Sequence, residues 1–183
     1  HQRKPTPMAT SLYDLSVASY LQILPAVSGL LDKGLAHFTA AGIDANEIVQ
    51  ARLAPDMLPF SFQIESVVHQ SLGAIEGLKR GVFGPPGELP ARDYAGLQTL
   101  VKDTIAALQA IKPADVNALE GRDMAFEMRG RQVPFTAETF VMSFSLPNFY
   151  FHAATAYDIL RQKGVPLGKR DFLGPMRTRP AAA

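Results

Sequence analysis

The residue best placed to do chemistry in this chain is His152. It lies in the run Leu146-Pro147-Asn148-Phe149-Tyr150-Phe151-His152. Read as a helix at about 100° per residue, that run puts His152 on one face with Ser145, Asn148, Phe149, Ala156 and Ile159. This face is the apolar side that a bundle must bury, and a buried imidazole needs a hydrogen-bond partner. Asn148, one turn back, is the nearest side chain able to position it. Ser145, Asn148, Thr155 and Ala156 are small or polar, so the face leaves room for a pocket with Phe149 as an apolar wall. An imidazole that titrates near neutrality can both take and give a proton there. The same spacing also suits a core histidine tied to Asn148 or to a carbonyl with no chemistry at all.

Other candidates are thinner. Tyr13 and Tyr20 share the inward stripe of the first helix and can offer hydroxyls to a ligand, or bond to carbonyls as ordinary core tyrosines. Arg52 and Asp56, four apart before the second helix, can orient a ligand at the mouth of a bundle or simply fix their loop as an ion pair. Thr155 adds a hydroxyl beside His152. His69 falls off the apolar stripe of its helix and is expected to face water or a partner, and His37 suits the end of the first helix, where a cation complements the dipole. No dinucleotide fingerprint, P-loop, nucleophile elbow or His-Glu-x-x-His motif occurs.

Four amphipathic helices must position these groups. Tyr13, Val17, Tyr20, Leu24, Val27, Leu31 and Phe38 recur at three- and four-residue steps, starting at Ser11 and stopping near Gly42, with Gly34 at the missing apolar position and a bend expected at Pro25. Asp44 starts a short connecting helix ended by Pro55. Phe60, Ile64, Val67, Ser71, Ile75 and Leu78 mark the second helix, closed by Gly81. Gly84-Pro85-Pro86-Gly87 is a loop, and Tyr94 to Ile111 forms a third helix ended by Pro113. Between Arg122 and Phe135 the period drops to two around Arg129-Gly130, which predicts a small β-hairpin. Thr136 then caps a fourth helix that runs through Leu160 to Gly164, kinked at Pro147. The fold class is therefore all-α, a four-helix bundle with a hairpin between helices three and four. Residues 1–9 read as a leader, 10–174 as one domain, and 175–183 as a disordered tail, the basic character beginning after Gly168.

Composition narrows the partners. The chain has 183 residues, is 47% hydrophobic, and carries 18 basic against 17 acidic residues. That balance supplies no field to hold a nucleic acid or an anionic membrane. It has no cysteine, so thiolate chemistry is absent and a reducing, cytoplasmic setting is the expectation. No apolar run is expected to cross a bilayer.

Three tracts carry a family resemblance: Ser11-Leu12-Tyr13-Asp14-Leu15-Ser16-Val17, Arg52-Leu53-Ala54-Pro55-Asp56-Met57-Leu58-Pro59, and Leu146 to Arg161 with its continuation Gly164-Val165-Pro166-Leu167-Gly168-Lys169-Arg170-Asp171-Phe172-Leu173-Gly174. Over Ser11 to Gly174 the chain resembles an uncharacterised family, a domain of unknown function, grouped with the DinB/YfiT-like bundles. The resemblance implies the same four-helix fold and no established activity. Metal-dependent members of the wider superfamily resemble one another in holding a divalent metal with a histidine on the second helix and a His-x-x-x-His pair on the fourth. Here that register holds Asn148, His152 and Ala156, so no metal or other cofactor is expected. Two functions stay open. One is a protein that binds a small apolar molecule and uses His152 for a metal-independent isomerase- or cyclase-type proton transfer. The other is a non-catalytic homodimer, motivated by apolar residues such as Leu21, Ile23 and Leu30 beyond the needs of one stripe. A degenerate metal site of His152, His69 and a carboxylate is a third, weaker reading.

Overall fold

Helix one begins where Ser11 caps α1 (Leu12–Leu15), its hydroxyl accepting from the Asp14 amide. The computed structural model describes residues 9–179. The expected leader up to residue 8 and the tail from residue 180 lie outside the described residues. The expected single first helix is interrupted at Ser16, whose hydroxyl turns back to the Leu12 carbonyl at 2.6 Å and whose ψ of −87° departs from helical values. α2 (Val17–Ala40) then runs on through Pro25. Remote side chains satisfy the first amides of α1: Glu120 accepts from the Leu12 amide at 3.1 Å and Asn117 from that of Tyr13 at 2.9 Å.

The second rod is α3 (Phe60–Val68), a π-turn over His69–Gly73, and α4 (Ala74–Arg80), closed by Gly81 at φ 75°. α5 (Tyr94–Gln109) starts at Asp93, which caps the Gly96 amide. Pro113 begins the short α6 (Pro113–Asn117) after that helix has already ended. The fourth rod is likewise α7 (Ala137–Phe140), a π-turn over Val141–Ser145, and α8 (Leu146–Gln162). Pro147 therefore falls in the first turn of α8, where its missing N–H is least costly. The hairpin forms as predicted, β2 (Asp123–Met128) antiparallel to β3 (Arg131–Thr136). Arg129 and Gly130 both have positive φ, 51° and 75°, as the tightest hairpin turn requires. β1 (Val82–Phe83), unforeseen from the sequence, adds in parallel to β2. The sheet seats on the bundle through an aromatic cluster in which Phe126 lies 4.5 Å and Phe140 5.6 Å from Phe144.

The chain after Gly168 is more ordered than its composition suggests. α9 (Lys169–Leu173) packs on α2, Gln22 donates to the Leu173 carbonyl at 3.0 Å, and Phe172 meets the Tyr157 ring edge-on. Ile23 and Leu30 are buried at 4% and 1% exposure, and Leu21 packs half-buried against the core. The apolar excess of α2 is thus largely consumed within one chain. By length and composition the helical stretch Leu12–Ala40 could cross a membrane, contrary to the expectation, its most apolar 18 residues having a mean hydropathy of 1.3. Fifty-six per cent of those 18 residues are buried in the fold, as befits the core helix of a bundle.

Gly34 sets the approach of α2 to α5. A Cβ there would overlap the Tyr94 hydroxyl and come within 3.3 Å of Leu160, while that hydroxyl already donates to the Leu31 carbonyl at 2.8 Å. Gly34→Ala is expected to cost about 1–3 kcal/mol by overpacking, read as a lower urea midpoint at unchanged m. Tyr94→Phe in the same background should recover part of the loss, a non-additivity that independent sites would not show.

Candidate functional site

α3 and α8 pack side by side, and His152 meets α3 at Gln63. Its Nδ1 lies 2.8 Å from Gln63 Oε1, while Gln63 Nε2 donates to the Leu58 carbonyl at 2.9 Å. The Leu58 carbonyl can only accept, so it fixes which end of the amide faces the histidine. Nδ1 must then carry the proton, and Nε2 is left with its lone pair. Nε2 has no hydrogen-bond partner among the described residues, and it is not among the buried orphans, since only Gln70 Oε1 is. This half-buried ring therefore presents Nε2 to solvent. Phe62 and Phe151 stand edge-on to the ring, at 5.9 and 5.3 Å between centroids. Phe151 is itself 55% exposed, so the imidazole borders apolar surface.

Asn148 does not position His152. It donates instead to the Phe144 carbonyl of its own helix at 2.8 Å, because the carbonyls at the end of the π-turn lie closer than the next turn's side chain. Gln63 takes the positioning role that the sequence reading gave to Asn148. Glutamine on a buried face carries no distinguishing pattern, and only the pairing of α3 with α8 reveals it. Burial also moves the imidazole away from the near-neutral value expected of an acid–base residue, down to about 4. His152 is neutral at physiological pH, so it accepts protons weakly and has none to donate from Nε2.

The other candidates disperse. Tyr20 is fully buried, and its hydroxyl lies 2.5 Å from Ser145 Oγ, which itself donates to the Gln70 carbonyl at 2.6 Å. That hydroxyl must therefore donate to Ser145, and burial holds its pKa above the usual tyrosine range. Phe149 packs at 5.1 Å against the Tyr20 ring inside the core. Thr155 is buried and spends its hydroxyl on the Phe151 carbonyl. Tyr13 is half-buried against the core. Arg52 is exposed and reaches the Met57 carbonyl at 2.5 Å. It forms no ion pair with Asp56 among the described residues. His69, expected to face water or a partner, is half-buried: Nε2 bonds to the Gly84 carbonyl at 2.8 Å and the ring stacks on Phe83 at 4.5 Å, which leaves Nδ1 as its free nitrogen among the described residues.

The metal set implied by the resemblance does not fit these residues. The fourth helix offers one imidazole, the side chain facing it from the second rod is an amide, and His69 is engaged with the loop. Among the described residues no three His, Cys, Asp or Glu side chains gather as a metal site needs.

The depressed pKa of His152 has a consequence for stability. Between pH 6.5 and about 4 the unfolded chain takes up a proton at this position that the folded protein refuses, so stability is full above pH 6.5 and falls as the pH drops. Urea unfolding from pH 7 to 4.5 is expected to show a shallower pH slope for His152→Gln than for the wild type. Ring NMR should place the His152 midpoint near 4, with Nδ1 protonated above it.

The comparisons agree with this architecture. The chain matches the model of DUF1993, a domain of unknown function, over residues 12–173. It is similar to the crystal structure of a DinB family member protein from Shewanella denitrificans, at 26% identity and a TM-score of 0.76, over 92% of this chain and 95% of that one. No curated protein matches it. With the matched region running from the start of α1 to the end of α9, the chain belongs to the DUF1993 family and has a DinB-like helical fold.

Proposed function

We propose that the protein binds a small, mostly apolar molecule carrying one hydrogen-bond donor, at the surface where His152 stands beside Phe62 and Phe151. One observation carries this reading: the Leu58–Gln63–His152 relay holds the imidazole in the tautomer that leaves Nε2 an open acceptor. The aromatic edges supply apolar contact, and Nε2 selects a ligand with an N–H or O–H at one end. A cytoplasmic setting, free of any need for disulfides, goes with this reading.

A proton transfer of the isomerase or cyclase type would begin at the same nitrogen. Nε2 would remove a proton from an already acidic position of the ligand and return it elsewhere on the same molecule. A base with a pKa of about 4 is weak for that task, so binding is the primary assignment and turnover the extension.

Phenol and anisole are suitable probes, since they share size and ring and differ in the donor. In ring NMR of histidine-labelled protein, phenol is expected to shift His152 saturably, and anisole to bind at least about tenfold more weakly, ~1.4 kcal/mol. His152→Phe should abolish the preference for phenol. Equal binding of the two probes, or an unmoved His152 resonance, would refute the assignment.

A further inference from the structure

The connection from β1 to α5, rich in proline and glycine, lies over the second rod and encloses a cleft of about 210 Å³ at the π-turn. Leu72, Pro86 and Leu89 form its apolar walls, and the polar side chains on it are Glu65, His69 and Glu76. His152 and Phe151 do not line it, although Glu65 and Leu89 also line the adjoining cleft beside Leu58 and Phe62, so its polar centre, His69, is distinct from that of the binding function proposed above.

The chemistry of the cleft follows from the tautomer of His69. Its Nε2 faces a carbonyl and must donate. Burial, with a smaller contribution from Arg80, lowers the ring's pKa even though the Gly84 carbonyl favours the proton, so the ring is neutral and Nδ1 holds a lone pair. Nδ1 has no partner among the described residues and is not a buried orphan, so it opens onto the cleft. Gly73 keeps that opening: a Cβ there would stand 3.1 Å from Nδ1. A glycine inside a long helix costs about 1 kcal/mol relative to alanine, so its presence here needs such a reason.

Every polar side chain on the cleft is thus an acceptor. Glu65 is buried and already holds Arg92 Nε at 2.9 Å, whereas Glu76 is exposed and forms no ion pair among the described residues. Arg80 lines the neighbouring cleft around Val82 and Gly84, not this one. An anion would meet only lone pairs and carboxylates here, and a bare metal ion would find no cluster of three ligands. We infer that this cleft binds a small primary alkylammonium ion, its N–H groups donating to His69 Nδ1 and Glu76 and its chain lying on Leu72, Pro86 and Leu89. An ammonium head supplies the donors and the charge that the acceptors lack, and the short alkyl chain matches the walls.

n-Butylammonium, n-butanol and butyrate separate charge, donor and chain. Titration of n-butylammonium into histidine-labelled protein at pH 7.5 is expected to shift the His69 ring saturably, with n-butanol at least about tenfold weaker and butyrate without effect. Glu76→Gln should weaken the ammonium about tenfold without altering the fold, since the residue is exposed. Gly73→Ala, which favours the helix but covers Nδ1, should abolish the His69 shift. The inference fails if n-butylammonium leaves His69 unmoved, if butyrate shifts it equally, or if Glu76→Gln binds like the wild type. Because His152 is read in the same spectra with phenol, failure at one histidine is distinguishable from failure at the other.

Discussion

The constraint on which the rest of the structure depends is the hydroxyl of Tyr20. Helix one drives it into the middle of the bundle with no access to water, where an unpaired hydroxyl would cost about 1–3 kcal/mol. Its partner is Ser145 on the fourth rod, and Ser145 passes the hydrogen bond to the Gln70 carbonyl on the second. Three helices are therefore joined by two hydrogen bonds, with Phe149 packed against the Tyr20 ring. A regular helix would keep the Gln70 carbonyl for its own amide four residues on. The π-turns at His69–Gly73 and Val141–Ser145 are where that regularity is given up, one at each end of the tie. We attribute their placement to it.

A π-turn adds one residue to a turn and so rotates everything beyond it by about 100° relative to a continuous helix. On the second rod the added residue comes after Gln63 and before Ile75. The N-terminal half can therefore direct Gln63 at α8 while the C-terminal half turns Gly77 toward Phe83 of the sheet, where a Cβ would stand 2.9 Å from that ring. On the fourth rod it comes before His152, which sets the ring opposite Gln63. The two histidines with an open nitrogen, His69 and His152, thus owe their settings to the same irregularities that satisfy Tyr20. Both rings are held by a carbonyl oxygen that takes one N–H, and both are kept neutral by burial. The bundle has two oriented acceptors and no imidazolium at neutral pH in either place.

Much of this was legible in the residues. The four helices, the hairpin at Arg129-Gly130, the stop at Gly81 and the choice of His152 follow from periodicity and turn chemistry, which are local. What was not legible is long-range. Nothing in the run around Gln63 separates it from any glutamine on a helix face, and its role appears only when α3 lies against α8. The break at Ser16 and the helix at Lys169–Leu173 depend on partners more than 100 residues away, namely Asn117, Glu120, Gln22 and Lys33. One local signal is readable: Gly73 lies four residues after His69 inside a helical run. A helix does not normally hold glycine there without a close approach to accommodate.

Gln63 also explains why this member of a DinB-like family need not be read as a metal protein that has lost a ligand. In a metal centre, an outer carbonyl or carboxylate takes the Nδ1 proton so that Nε2 points its lone pair at the ion. The Leu58–Gln63–His152 relay performs the same orientation on a ring that stands alone. One neutral nitrogen beside two phenylalanine edges offers a divalent ion less than water does, since the ion would surrender hydration for a single bond. The same nitrogen can offer an N–H or O–H donor a directed hydrogen bond without any second ligand. On the reading proposed above, orientation without companion ligands suits the ring to an organic donor rather than to a metal, and an amide on the facing helix is enough to supply that orientation.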